Sequence, residues 1–126
     1  MITKTYKIPI FDYNLIFFQL EKSDKQSYVE EELDKKMISG DERPYIGVDL
    51  FDVGHTCTNE ETRTIVVFFH RFSTVDKRYE IYFHELRHIV DSICIHLNLN
   101  CLETAAYLNG FIGNILFIDF IGLTIR

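Results

Sequence analysis

Five apolar residues, Tyr82, Leu86, Ile89, Ile93 and Leu97, recur at i, i+4, i+7, i+11 and i+15. That spacing belongs to a helix that turns one apolar stripe toward a core. Such a helix needs a surface to lie on, and the chain before it supplies strands. Lys4–Ile10 and Tyr13–Leu20 are rich in β-branched and aromatic residues, with Asp12 near their junction. Tyr45–Val53 and Arg63–His70 (RTIVVFFH) read the same way, separated by a polar loop, GHTCTNEET. Gln26–Met37 carries mixed charges and reads as a solvated helix, and Ser39–Pro44 (SGDERP) as a loop. Ser73 followed by Asp76 signals a helix beginning near Thr74. Asn98 and Asn100 mark a break, and a second helix runs from about Leu102 to Ile118. Strands first and helices last predict a small α+β domain, an N-terminal antiparallel or mixed sheet with both helices packed on it. The 126 residues suit one domain, 1–126.

Charge narrows the partners. With 13 basic against 19 acidic residues the formal net charge is −6, so phosphate backbones repel the chain and nucleic acid is not an expected partner. Cys57, Cys94 and Cys101 form no CxxC pair and are odd in number, which fits a reducing compartment better than a disulfide scaffold. The start, MITKTYKIPIFDY, has no long apolar h-region, so a cytoplasmic location is expected. Leu108–Ile125 approaches bilayer-spanning length. It contains Asn109, Asn114 and Asp119, however, and a central aspartate alone costs about 2.5–3.5 kcal/mol on insertion. A buried helix with a tail is the expectation, not a membrane anchor.

On the face nearly opposite the apolar stripe stand His84 and His88, together with Asp91 and Ile95. Residues four apart share one helical face, so both imidazoles can hold a single Zn²⁺. Glu85, directly after the first histidine, then stands beside the metal as a candidate general base in the order HExxH. The competing reading is an exposed polar face. A solvated face would show more Lys and Glu than HxxxHxxD flanked by Ile and Val.

The second helix opens on Glu103 in ETAAYLNGFIG, and Ala106, Tyr107, Gly110 and Asn114 share its face. The small residues would let this face approach the histidine helix closely. Glu103 then becomes the candidate third ligand, leaving the fourth position open for water. Alternatively, its charge simply favours the helix N-terminus. If the first helix ran unbroken to Leu97, Glu103 would face residues near Ile95, roughly 10 Å along the axis from His88. Ligation by Glu103 therefore requires the motif helix to end early, around Ser92 to Cys94. Asp91 is expected as the outer partner that orients His88.

HELRH followed by ETAA resembles the gluzincin layout of zinc metallopeptidases. The longer run, HELRHIVD then ETAAYLNGFIG, is similar to small HExxH proteins of bacteriophages and prophages. The resemblance covers about Phe83 to Leu116. It implies a zincin-like domain with His84, His88 and Glu103 as zinc ligands and Glu85 as general base. It also implies hydrolysis of a peptide or protein in the cytoplasm of a bacterial or phage-infected cell. The strand Arg63–His70 would be the sheet edge along which an extended substrate lies. The gap from His88 to Glu103 is shorter than in gluzincins, and no substrate-binding subdomain precedes the motif. Those features suit the alternative, a non-catalytic zincin-like binding protein.

Other candidates carry less. His55 and Cys57 share GHTC without a second pair of ligands, and a loop role is expected. His70 can be an oxyanion donor or a strand-end surface residue. Tyr107, one turn from Glu103, can donate to an oxyanion or merely pack. His96, Cys94 and Cys101 read as structural.

Overall fold

The computed structural model describes residues 2–20, 30–32, 34 and 53–124, with side chains described from 3 through 117 of these. The order of elements is β1 (Ile2–Ile8), β2 (Tyr13–Gln19), β3 (Gly54–Asn59), β4 (Thr64–Phe69), α1 (Val75–His96) and α2 (Leu102–Thr124). The expected strand Tyr45–Val53 and the loop Ser39–Pro44 lie outside the described residues. Of the expected helix Gln26–Met37, residues 30–32 and 34 are helical and the rest lie outside as well.

The strands form one mixed sheet in the order β1-β2-β4-β3. β1 and β2 are antiparallel, joined through a turn in which Asp12 takes a left-handed φ of 54°. β2 and β4 are parallel, and β3 returns antiparallel to β4. The two inner strands, YNLIFFQ and TIVVFF, are apolar almost throughout because both of their faces are covered. Leu15, Phe17, Ile65, Val67 and Phe69 face one core with Tyr82, Leu86, Ile89 and Ile93 of α1 and Leu108, Ile112 and Leu116 of α2. Ile16, Phe18, Leu20, Cys57, Val66 and Phe68 form a second buried cluster on the opposite face. The domain is a small α+β structure, as its pattern foretold.

Several expectations fail in instructive ways. The GHTCTNEET stretch is not all loop, since Gly54–Asn59 is a strand. It is also an edge strand among the described residues, opposite β1, whereas the Arg63–His70 strand, expected at the edge, is internal as β4. Thr56 and Thr58, β-branched and alternating with His55 and Cys57, suffice to extend the chain despite its polarity.

α1 does not stop at Ser92 to Cys94. It runs to His96 and ends in a Schellman cap: Asn98 adopts a left-handed φ of 54°, its N–H meets Ile95 O at 3.2 Å, and Leu99 N–H meets Cys94 O at 2.8 Å. At the other end Thr74, not Ser73, is the N-cap, accepting from Lys77 N–H at 3.1 Å. A hydrogen bond between the Tyr13 hydroxyl and His96 Nδ1 fastens the last turn of α1 to the sheet.

α2 does not pack by its Ala106–Gly110 face. Ala106, Tyr107 and Asn114 are exposed, and a Cβ at Gly110 would meet nothing within 4 Å. The helix turns Leu108, Ile112 and Leu116 inward, and Gly113 makes the close approach: a Cβ there would lie 3.3 Å from Leu86 Cδ2. Tyr82 donates its hydroxyl to Gly113 O at 2.7 Å, and burial raises its pKa far above the usual value. Among the described residues no helix is long and apolar enough to cross a membrane.

Candidate metal centre

α1 presents its motif on two surfaces at once. His84 and His88 are exposed, whereas Glu85 is only 3% exposed. The helical wheel explains the split: Glu85 falls between Tyr82 and Ile89 on the buried side, three and four residues from each. His84 lies about 100° and His88 about 60° around the helix from it, both toward solvent.

The histidine rings converge. His84 Nε2 and His88 Nε2 share a hydrogen bond at 3.0 Å, with the rings edge to face at 80° and centroids 4.6 Å apart. Two nitrogens of a tetrahedral zinc site, each about 2.0–2.1 Å from the ion, stand about 3.3 Å apart. The pair thus has nearly the separation a shared cation imposes, reached by rotamers on an unbroken helix. Together with a Glu85 carboxylate oxygen their ligand atoms lie within 4.8 Å of one another.

Glu85 is held from β3. Thr56 Oγ1 donates to Glu85 Oε2 at 2.5 Å. Gly54, two residues earlier on the same face of the strand, leaves the space the carboxylate occupies. A Cβ there would fall 2.6 Å from Glu85 Cγ, 2.7 Å from Ile81 Cγ2 and 3.1 Å from Glu85 Cδ. A buried carboxylate is costly unless it is hydrogen-bonded and charge-compensated. Thr56 meets the first requirement, and among the described residues no cation pairs with Glu85. A divalent cation on the adjoining histidines would meet the second. The donor set, two imidazoles and one carboxylate, suits zinc.

Glu103 does not join this group. It stands exposed at the head of α2. The helices are antiparallel, since Tyr82 bonds Gly113 and the Tyr79 and Tyr82 rings meet Phe117. Ten residues back from Gly113, Glu103 lies about 15 Å along the axis, level with Ser92 rather than His88. Gly113 also rests on Leu86, which is about 200° around α1 from both histidines. α2 therefore packs on the side of α1 away from the histidine pair, and the expected third ligand fails with the expected early end of α1. Asp91 is not the partner of His88 either: its Oδ2 accepts from Arg87 Nε at 3.1 Å, and its Oδ1 lies 3.0 Å from the same nitrogen in an ion pair.

The weaker candidates fall elsewhere. Alternation along β3 turns His55 and Cys57 away from Glu85; His55 is exposed and Cys57 is buried in the second cluster. His70 is buried one residue beyond the end of β4, and burial, then the Arg71 charge, lower its pKa. Tyr107 is exposed and stacks on Phe111. The residues that sequence reasoning missed are Gly54 and Thr56. Their signal was the alternation of small and β-branched residues in G-x-T-x-T, hidden by its polarity. No protein-family model matches the chain, and no curated protein or solved structure is similar enough to count as a match.

Proposed function

We propose that the chain is a zinc-dependent hydrolase of peptides, with His84 and His88 holding the metal and Glu85 as general base. One observation carries the reading: two imidazole nitrogens 3.0 Å apart beside a buried carboxylate that has no other cation among the described residues. Zinc bound there would supply a Lewis acid and lower the pKa of a bound water to about 7. In this reading Glu85, buried beside the histidines, accepts the proton of an attacking water and passes it to the leaving amine.

The choice of peptide rests on the sheet edge. His70 N–H bonds Val53 O at 2.9 Å, so Val53 and His70 are a hydrogen-bonded pair of the antiparallel ladder. Counting on through the register, His55, Cys57 and Asn59 point their main-chain groups at β4. Gly54, Thr56 and Thr58 point theirs outward, and the described residues offer them no partner. An extended peptide added to this row would lie along β3, the strand that carries Glu85's support.

Zinc-replete protein should hold about one Zn²⁺ per chain, lost in His84→Ala or His88→Ala. Glu85→Gln should keep zinc and fold while losing about two or more orders of magnitude in turnover of a peptide found by library screening. Protein that holds no zinc when it is replete ends the reading. A second reading, a non-catalytic zincin-like binding protein such as a phage accessory protein, draws on the distance of Glu103 from the pair. In it the metal or the bare fold is structural, and it predicts equal, background turnover in wild type and Glu85→Gln.

A further inference from the structure

We infer that Thr56 is the positioning residue of the general base: its hydroxyl fixes the Glu85 carboxylate beside the histidine pair. The inference rests on the hydrolase reading above, but its structural half can be tested without it.

Glu85 lies on a helix, and a glutamate side chain has three rotatable bonds, so burial alone does not choose one orientation for its two oxygens. Two features of β3 do. Gly54 presents bare main chain to Glu85 Cγ and Cδ, closing one side of the space without filling it. Thr56 then takes Oε2 at 2.5 Å. With one oxygen committed to the hydroxyl, Oε1 is left to face the water that the base must deprotonate. The stem is gripped from the helix side as well, because Ile81 Cγ2 shares the space that a Gly54 Cβ would need.

The same residue also faces the other way. Thr56 main-chain N–H and C=O belong to the row turned away from β4. A peptide strand hydrogen-bonded to Thr56 is therefore joined, through one residue, to the carboxylate that acts on it. Hydrogen bonds to a charged group contribute more than neutral ones, and their geometry is correspondingly restrictive. A valine at position 56 keeps the shape and the β-branched preference for a strand, and it removes only the donor.

The test uses the full chain with Thr56→Val, Thr56→Ser and Glu85→Gln. In metal-free protein, the infrared difference between wild type and Glu85→Gln isolates the Glu85 carboxylate stretch. That band should move in Thr56→Val and return in Thr56→Ser. In zinc-loaded protein, Thr56→Val should keep stoichiometric zinc and an unchanged KM while kcat falls about tenfold, and Thr56→Ser should recover most of the loss. Thr56→Val added to Glu85→Gln should lower turnover no further, since the residue acts only through the base. An unmoved band overturns the contact. A moved band with unchanged kcat overturns the positioning role and leaves a structural hydrogen bond. Zinc-loaded wild type that cleaves no peptide overturns the hydrolase reading and the positioning role with it, while the infrared band still reports whether Thr56 holds Glu85.

Discussion

α1 is flanked by β3 on one side and α2 on another, and each flank comes close through a glycine. At the α2 flank Gly113 meets the end of Leu86, surrounded by Tyr82, Leu108 and Ile112. At the β3 flank Gly54 meets the middle of Glu85, with Thr56 as the hydrogen-bond donor. The first contact is apolar apart from the Tyr82 hydroxyl, and hydrophobic burial suffices to hold it. The second surrounds a buried carboxylate, which a purely structural contact would avoid. One helix thus packs its α2 side by apolar contact and holds a hydrogen-bonded carboxylate on its β3 side.

The glycines separate these roles. At Gly54 an added methyl would stand 2.6 Å from Glu85 Cγ and 2.7 Å from Ile81 Cγ2. Neither atom is the free end of a flexible side chain, and the β-branched isoleucine is stiff. Gly54→Ala should destabilise the domain by about 1–3 kcal/mol, the usual cost of overpacking, and displace Glu85 in the same step. At Gly113 the methyl meets Leu86 Cδ2 at 3.3 Å, a terminal atom that can swing aside. Gly113→Ala also gains up to about 1 kcal/mol of helix propensity, so stability should change little or rise. Urea unfolding of both variants decides the matter. Equal destabilisation would erase the distinction between the flanks.

A smaller effect comes from a histidine off both flanks. Burial holds the His70 imidazole below its ordinary pKa, with Arg71 acting in the same direction. The folded state therefore resists protonation that the unfolded chain accepts. This contribution is complete above about pH 6.5, the ordinary histidine value, and is lost as pH falls through the lower folded value. His70→Gln should flatten that part of the stability–pH curve while leaving zinc stoichiometry unchanged. Stability that remained pH-dependent to the same degree would assign the acid sensitivity to another group.

The α2 side of this comparison was largely legible in the sequence. Tyr82, Leu86, Ile89 and Ile93 are buried where the stripe placed them, because apolar periodicity reports directly on which side meets a core. The histidine pair was legible for the same reason, as two polar residues one turn apart off that stripe. The β3 side was not legible. Glu85 is buried by a strand whose polar composition resembles a loop, and no periodicity on α1 reveals that Thr56 waits across 29 positions of sequence. The choice of Gly113 over Gly110 was hidden too. Both are equally small, and only the antiparallel fit of Leu108, Ile112 and Leu116 determines which one faces α1.

The smallest expected effect is at Glu103, where a carboxylate near an HExxH helix invites assignment as a ligand. α1 continues unbroken to His96, and α2 packs against Leu86, across the helix from the histidines. Removing even an outer-shell partner of a metal site costs about tenfold or more in affinity. Glu103→Ala should fall short of that in a zinc competition assay, whereas His88→Ala abolishes stoichiometric binding. What Glu103 does supply is negative charge in the first turn of α2, worth about 0.3–1 kcal/mol to that helix. The variant should therefore unfold at slightly lower urea with zinc affinity intact. A tenfold loss of zinc affinity would mean that α2 reaches the histidine side of α1, and the division between an apolar flank and a carboxylate flank would have to be abandoned.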